Sequence, residues 1–239
     1  MSLLQIVFII MAIIVFYYIY KSLTGRGSKS VSSLSTAKVR QVIDPKDLAN
    51  SSGSNNYTYS VWMYVDDWNY RYGQPKVVFG RTDNNQLGEA NPSPSVSLGA
   101  MQNNLIISLA TYPTKQSTTA TIHNCEIKNV PLQKWTNLLI SLYGRSLDVY
   151  LDGKLVRTCV LPGVAKVNTR APVEITPNGG FAGYTAKFMY FDGPTNPQEA
   201  WNIYKSGFAG TLGIGNIFEK YKIKVAFLDN NVEQGSIEI

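Results

Sequence analysis

His123 is the only histidine of the chain, and Cys125 and Cys159 are its only cysteines. In the stretch His123-Asn124-Cys125 the outer two residues share a face if the segment is a strand. A thiol beside an imidazole has the composition of an activated nucleophile. That chemistry is set by geometry between elements, not by adjacency on one strand, so His123 reads as a packing or surface residue. One His and two Cys also fall short of a structural zinc site without added carboxylates. Cys125 and Cys159 either pair, closing a loop worth about 3–4 kcal/mol, or stay reduced as a cytosolic domain would keep them.

Carboxylates are as sparse as nucleophiles. Glycoside hydrolysis takes two of them flanking the scissile bond. Glu174 stands alone, and Asp66 and Asp67 point to opposite faces if their strand continues. Asp66, Asp83, Asn84 and Asn85 offer oxygens of the kind calcium takes, but at no diagnostic spacing. The expectation is a protein that is not an enzyme and holds no cofactor or metal. Trp68, Tyr70 and Tyr72 crowd the polar stretch DDWNYRYGQ, 66–74. In a loop, these rings mark a ligand or partner surface for a glycan or a protein, or else they close one end of the fold.

The elements that would position these groups are strands. YTYSVWMYV (57–65) is dense in aromatic and β-branched residues. Strand-like runs follow at 76–80, 95–100, 104–110, 119–127, 135–143, 146–151, 154–161, 172–176 and 183–192. Their spacing by Gly, Pro and Asn predicts an all-β antiparallel sandwich. Asp152-Gly153 fits a two-residue type I′ turn. That turn would pair Leu151 with Lys154, Tyr150 with Leu155, Val149 with Val156 and Asp148 with Arg157, the last as an ion pair. One short C-terminal helix is marked by Asn196 as cap, Pro197 in the first turn, Glu199 completing a capping box and Gly207 as terminator. Ala200, Ile203 and Tyr204 would share its packing face. In the tail, YKIKVAFLD (221–229) reads as one more strand, for a sheet edge of this chain or of a neighbour.

The N-terminus has a different character. Residues 3–20 are apolar apart from Gln5, and as a helix would reach about 27 Å, close to a bilayer core. Residues 1–20 are therefore expected as a transmembrane helix, with Leu3, Ile6, Phe8, Ile10, Ile13 and Val15 in the bilayer. Tyr17 and Tyr20 would sit at its interface. Lys21, Arg26, Lys29, Lys38 and Arg40 follow with no acid, so 21–43 carries +5 of the net +6. These five residues are expected to meet lipid headgroups and to hold the C-terminal domain on the cytosolic side. A folded part of about +1 argues against nucleic acid as partner. Ser/Gly/Lys-rich 21–54 reads as a linker, 55–207 as the sandwich and 208–239 as an extension.

Three motifs in order carry a resemblance. WTNLLIS (135–141) leads to LDVYLDGKLV (147–156), and GFAGYTAKFMYFD (180–192) leads to NPQEAWNIY (196–204). Over about 55–207 this resembles the concanavalin A-like, laminin G-like jelly roll. The span, basic linker and single such domain together resemble membrane-anchored minor capsid proteins of large icosahedral DNA viruses of algae and amoebae. That resemblance implies a structural virion protein linking an inner viral membrane to the capsid shell. Its partners would be the bilayer and capsid or other virion proteins, at the membrane–capsid interface. Such viruses resemble one another in encoding a thiol oxidase, which would permit a disulfide there. The alternative is a membrane-displayed, lectin-like module for host glycans.

Overall fold

The computed structural model describes residues 10–11, 13–17, 29–30, 32–48, 55–81, 91–113, 117–208, 224–229 and 232–238. The strands are β1 (Lys29–Ser30), β2 (Ser35–Thr36), β3 (Gln41–Ile43), β4 (Tyr57–Asp67), β5 (Lys76–Gly80), β6 (Ser95–Leu98), β7 (Asn104–Tyr112) and β8 (Thr121–Lys128). They continue with β9 (Trp135–Tyr143), β10 (Ser146–Leu151), β11 (Lys154–Val160), β12 (Val164–Ala165), β13 (Val173–Ile175) and β14 (Ala182–Asp192). One sheet runs β1-β14-β4-β9-β10-β11, with β2 also on β14. The other runs β12-β7-β6-β5-β13-β3, with β8 also on β7. All pairings are antiparallel, giving the expected two-sheet sandwich.

Strand β4 shows why the sheets stack. Its odd residues Tyr57, Tyr59, Val61, Met63 and Val65 belong to the core between the sheets. Its even residues therefore face outward. Thr58 and Ser60 are satisfied there by Ser141, Thr195 and Asn137. Trp62, Tyr64 and Asp66 continue the same outer row.

Helix α1 (Pro197–Lys205) lies on that outer face with the expected capping box: Asn196 accepts from the Glu199 N–H, and the Glu199 carboxylate accepts from the Asn196 N–H. Ala200 and Ile203 pack on Leu139 and Tyr150, and Tyr204 stacks on Trp62 at 5.6 Å. Gly207 ends the helix at φ 67°. Lys187, bulged out of β14 and buried, donates to Ser206 Oγ at 2.7 Å and to the Gly207 carbonyl at 2.8 Å. A cation thus meets the negative end of the helix dipole.

The Asp152-Gly153 turn forms as expected, with φ of 49° and 72°. It pairs Leu151 with Lys154 and Tyr150 with Leu155. Beyond that the register differs from expectation. A bulge at Val156 sets Val149 opposite Arg157 and Asp148 opposite Thr158. The expected Asp148–Arg157 ion pair is therefore absent. Asp148 accepts from Thr158 Oγ1 at 2.6 Å, and Arg157 donates to the Glu126 carbonyl at 2.7 Å. An extra residue on one strand shifts every later pairing by one, which turn chemistry alone does not foretell.

The sandwich also starts earlier than residue 55. Within the expected linker, β1 and β2 pair with β14, and β3 pairs with β13. Arg40, expected at headgroups, makes a bidentate pair with buried Glu174, at 3.0 and 2.8 Å. Lys38 sits 4.8 Å from the centroid of Tyr70. Lys29 is in β1, while Lys21 and Arg26 lie outside the described residues.

Residues 10–11 and 13–17 are helical, and the side chains of Ile10, Met11, Ile13, Ile14, Val15, Phe16 and Tyr17 are all exposed. Most of the expected span, including Leu3, Ile6, Phe8 and Tyr20, lies outside the described residues. Among the described residues no helix is long and apolar enough to cross a membrane. In the tail, β15 (Lys224–Asp229) pairs with β16 (Val232–Glu238) as a hairpin separate from both sheets.

Candidate functional site

Helix α1 covers the outer face of the first sheet at Leu139, Tyr150 and Trp62. Beyond the helix, Tyr64 of β4 stands opposite Trp135 of β9 on one side and Tyr184 of β14 on the other. Three rings thus form a row across three strands, with centroid separations of 5.7 and 6.3 Å. Strand spacing alone places directly opposite side chains about 5 Å apart. Tyr184 is 47% exposed. With Leu34 and Asp66, these rings line an open groove of about 380 Å³, within the roughly 300–1,000 Å³ usual for small-ligand sites. Among the described residues, the Asp66 carboxylate has no hydrogen-bond or ion-pair partner.

The row is held from both ends. Phe208, just past α1, lies on Trp135 at 4.4 Å and 14° and also reaches Trp62 at 5.7 Å. The helix therefore buttresses one end through Tyr204 and Trp62. At the other end Gly183 has φ 146°, and a side chain there would collide with the Tyr64 carbonyl oxygen. The register shift at Ala182/Gly183 brings β14 close enough for Tyr184 to meet Tyr64. Leu34, from the segment expected as linker, forms the outer lip.

The structure places the sequence-derived candidates elsewhere. Trp68 packs against the core, with buried Lys76 4.4 Å above its ring. The Lys76 ammonium also donates to the Gly99 carbonyl at 3.3 Å, and burial holds its pKa below the usual lysine value. Tyr70 donates its hydroxyl to the Gly179 carbonyl at 3.2 Å. Trp68 and Tyr70 thus close one end of the sandwich, and Tyr72 of that cluster is exposed. Cys125 and Cys159 form a disulfide, Cα–Cα 6.1 Å, that clasps β8 of one sheet to β11 of the other. Cys125 therefore has no thiol to offer His123. Asp83, Asn84 and Asn85 lie outside the described residues. Among the described residues no group of three His, Cys, Asp or Glu gathers to hold a metal ion.

A family profile for the concanavalin A-like lectin/glucanases superfamily matches residues 40–200. The chain belongs to that superfamily. Its match begins within the expected linker, in keeping with β3 and the Arg40–Glu174 pair. Among curated proteins, none shows significant sequence similarity to this superfamily member. Among solved structures, it is similar to the botulinum neurotoxin serotype D ligand-binding domain in complex with N-acetylneuraminic acid. The TM-score is 0.55 at 10% identity, over 84% of this chain and 51% of that one. The serotype G binding domain gives 0.50 at 13% identity, over 76% and 46%. This superfamily member spans about half the length of those domains, and the likeness is one of fold.

The groove residues leave one signal in the sequence. The signal is parity. In YTYSVWMYVDD, aromatic residues occupy both faces, and only one face can point into the core.

Proposed function

We propose that this protein is a membrane-anchored, lectin-like glycan-binding module. The observation that carries the reading is the row Trp135–Tyr64–Tyr184, lining an open groove beside the Asp66 carboxylate, which has no partner among the described residues. Aromatic faces match the apolar C–H faces of pyranose rings, and a carboxylate accepts hydrogen bonds from their hydroxyls. Superfamily membership and the fold shared with a sialic acid-complexed domain support the same reading. The reading takes the module as non-catalytic, since glycoside hydrolysis needs two facing carboxylates and, among the described residues, the groove's lining offers Asp66. Exposure of the apolar side chains at 10–11 and 13–17 supports a bilayer anchor. The Cys125–Cys159 bridge favours maturation in an oxidising compartment. It weighs against the cytosolic face that the basic flank favours.

The virion reading, a minor capsid protein docked to the shell, rests on sequence resemblance. The groove supports glycan binding more directly. The test is titration of the full chain, in lipid nanodiscs, with an oligosaccharide panel. Saturable binding lost in Tyr184→Ala, with thermal stability unchanged, supports the glycan module. Absence of binding, together with cross-links from the exposed Lys128, Lys154 or Lys205 to capsid proteins in intact particles, would return the protein to the structural reading.

A further inference from the structure

We infer that the groove takes neutral glycans of at least two sugar units and discriminates against sialylated ones. This deepens the glycan reading and rests on it. Length follows from the row. Centroid steps of 5.7 and 6.3 Å, with ring planes tilted by 53° and 55°, carry the lining across three strands, more than a single pyranose covers, while Phe208 occupies one face of Trp135. Charge follows from the lining. Leu34, Tyr64, Trp135 and Tyr184 are uncharged, and Asp66 is anionic. The nearest described cations in sequence are committed elsewhere: Lys134 to Asp152 at 2.8 Å, Lys187 to Ser206 and the Gly207 carbonyl, and Lys38 to the Tyr70 ring. A carboxylate accepts hydrogen bonds and donates none, so it suits hydroxyl donors and repels a sugar carboxylate. One such repulsion at close range is worth about tenfold in affinity.

The full chain in nanodiscs is titrated with neutral di- and trisaccharides and with the same panel carrying terminal N-acetylneuraminic acid. The expected result is binding of neutral members, with sialylated partners about tenfold or more weaker. Asp66→Asn should narrow that ratio by raising affinity for the sialylated set. Monosaccharides should bind more weakly than disaccharides. Equal or tighter binding of the sialylated set, through a groove still sensitive to Tyr184→Ala, overturns the inference and leaves the glycan module standing. A ratio unchanged in Asp66→Asn also overturns it. If neither set binds, the glycan module itself fails.

Discussion

Tyr57, Tyr59 and Tyr190 pack in the core, with centroids 5.1 and 5.0 Å apart, beside the buried Arg81. Burial raises all three phenol pKa values, Tyr190 to about 12. The unfolded chain loses these protons near pH 10 while the folded chain keeps them. Stability from the neutral phenols is therefore full below that pH and lost as pH climbs toward about 12. Lys76 and Lys187 act oppositely. Their pKa values are lowered by burial, so they add stability as pH rises toward 10.5. Urea midpoints followed through this range should fall above pH 10, and Tyr190→Phe should flatten the fall. A variant curve parallel to the wild type would refute the assignment to Tyr190. At the hairpin, Asp152 accepts from the Asn137 N–H at 2.9 Å and from Lys134 at 2.8 Å. Asp152→Ala should cost about 1–2 kcal/mol in denaturant unfolding.

At the scale of elements, the two sheets are clasped where their edges meet. The Cys125–Cys159 bond closes a separation of 34 residues, and its loss should cost about 4 kcal/mol by loop entropy. Cys125→Ser/Cys159→Ser should unfold at lower denaturant. A thiol reductant should lower the wild type to the same midpoint and leave the variant unmoved. Gly183→Ala should both destabilise the fold and weaken glycan binding, because its new methyl group pushes β14 from Tyr64. Calorimetry and titration of one sample test the two effects together. Helix α1 and the Asp152-Gly153 turn were legible because their signals are local: a capping box spans four residues and a type I′ turn two. The Val156 bulge was not, since nothing in KLVRTCV distinguishes an extra residue from a regular one.

For the whole molecule, the boundary of the folded unit has a direct consequence. Residues 29–48 supply β1–β3 and the arginine that pairs buried Glu174. A fragment beginning at residue 29 should fold cooperatively, whereas one beginning at residue 55 should melt lower and self-associate through the bared β14 edge. Melting temperature and light scattering compare them. Two- and three-residue strands carry no readable periodicity, which is why this stretch looked like linker. The groove is hidden in the sequence for a related reason. Trp135 looked like the start of a strand, Tyr64 like part of one, and Tyr184 like part of another. Trp68, Tyr70 and Tyr72, by contrast, cluster within five residues and are visible in the sequence.

By itself the sequence determined the all-β class, the order of the central strands, the capped helix and the superfamily motifs. Each follows from alternation, turn chemistry or capping over a few neighbouring residues. Only the tertiary structure decided which aromatics are stacked in the open and which seal the fold. Tyr64, Trp135 and Tyr184 are far apart along the chain, and sheet register brings them into one row. Packing of one sheet on the other sets Cys125 against Cys159, and the pairing of β3 with β13 brings Arg40 to Glu174. Such long-range pairings depend on the whole sheet closing at once, and no local stretch encodes them.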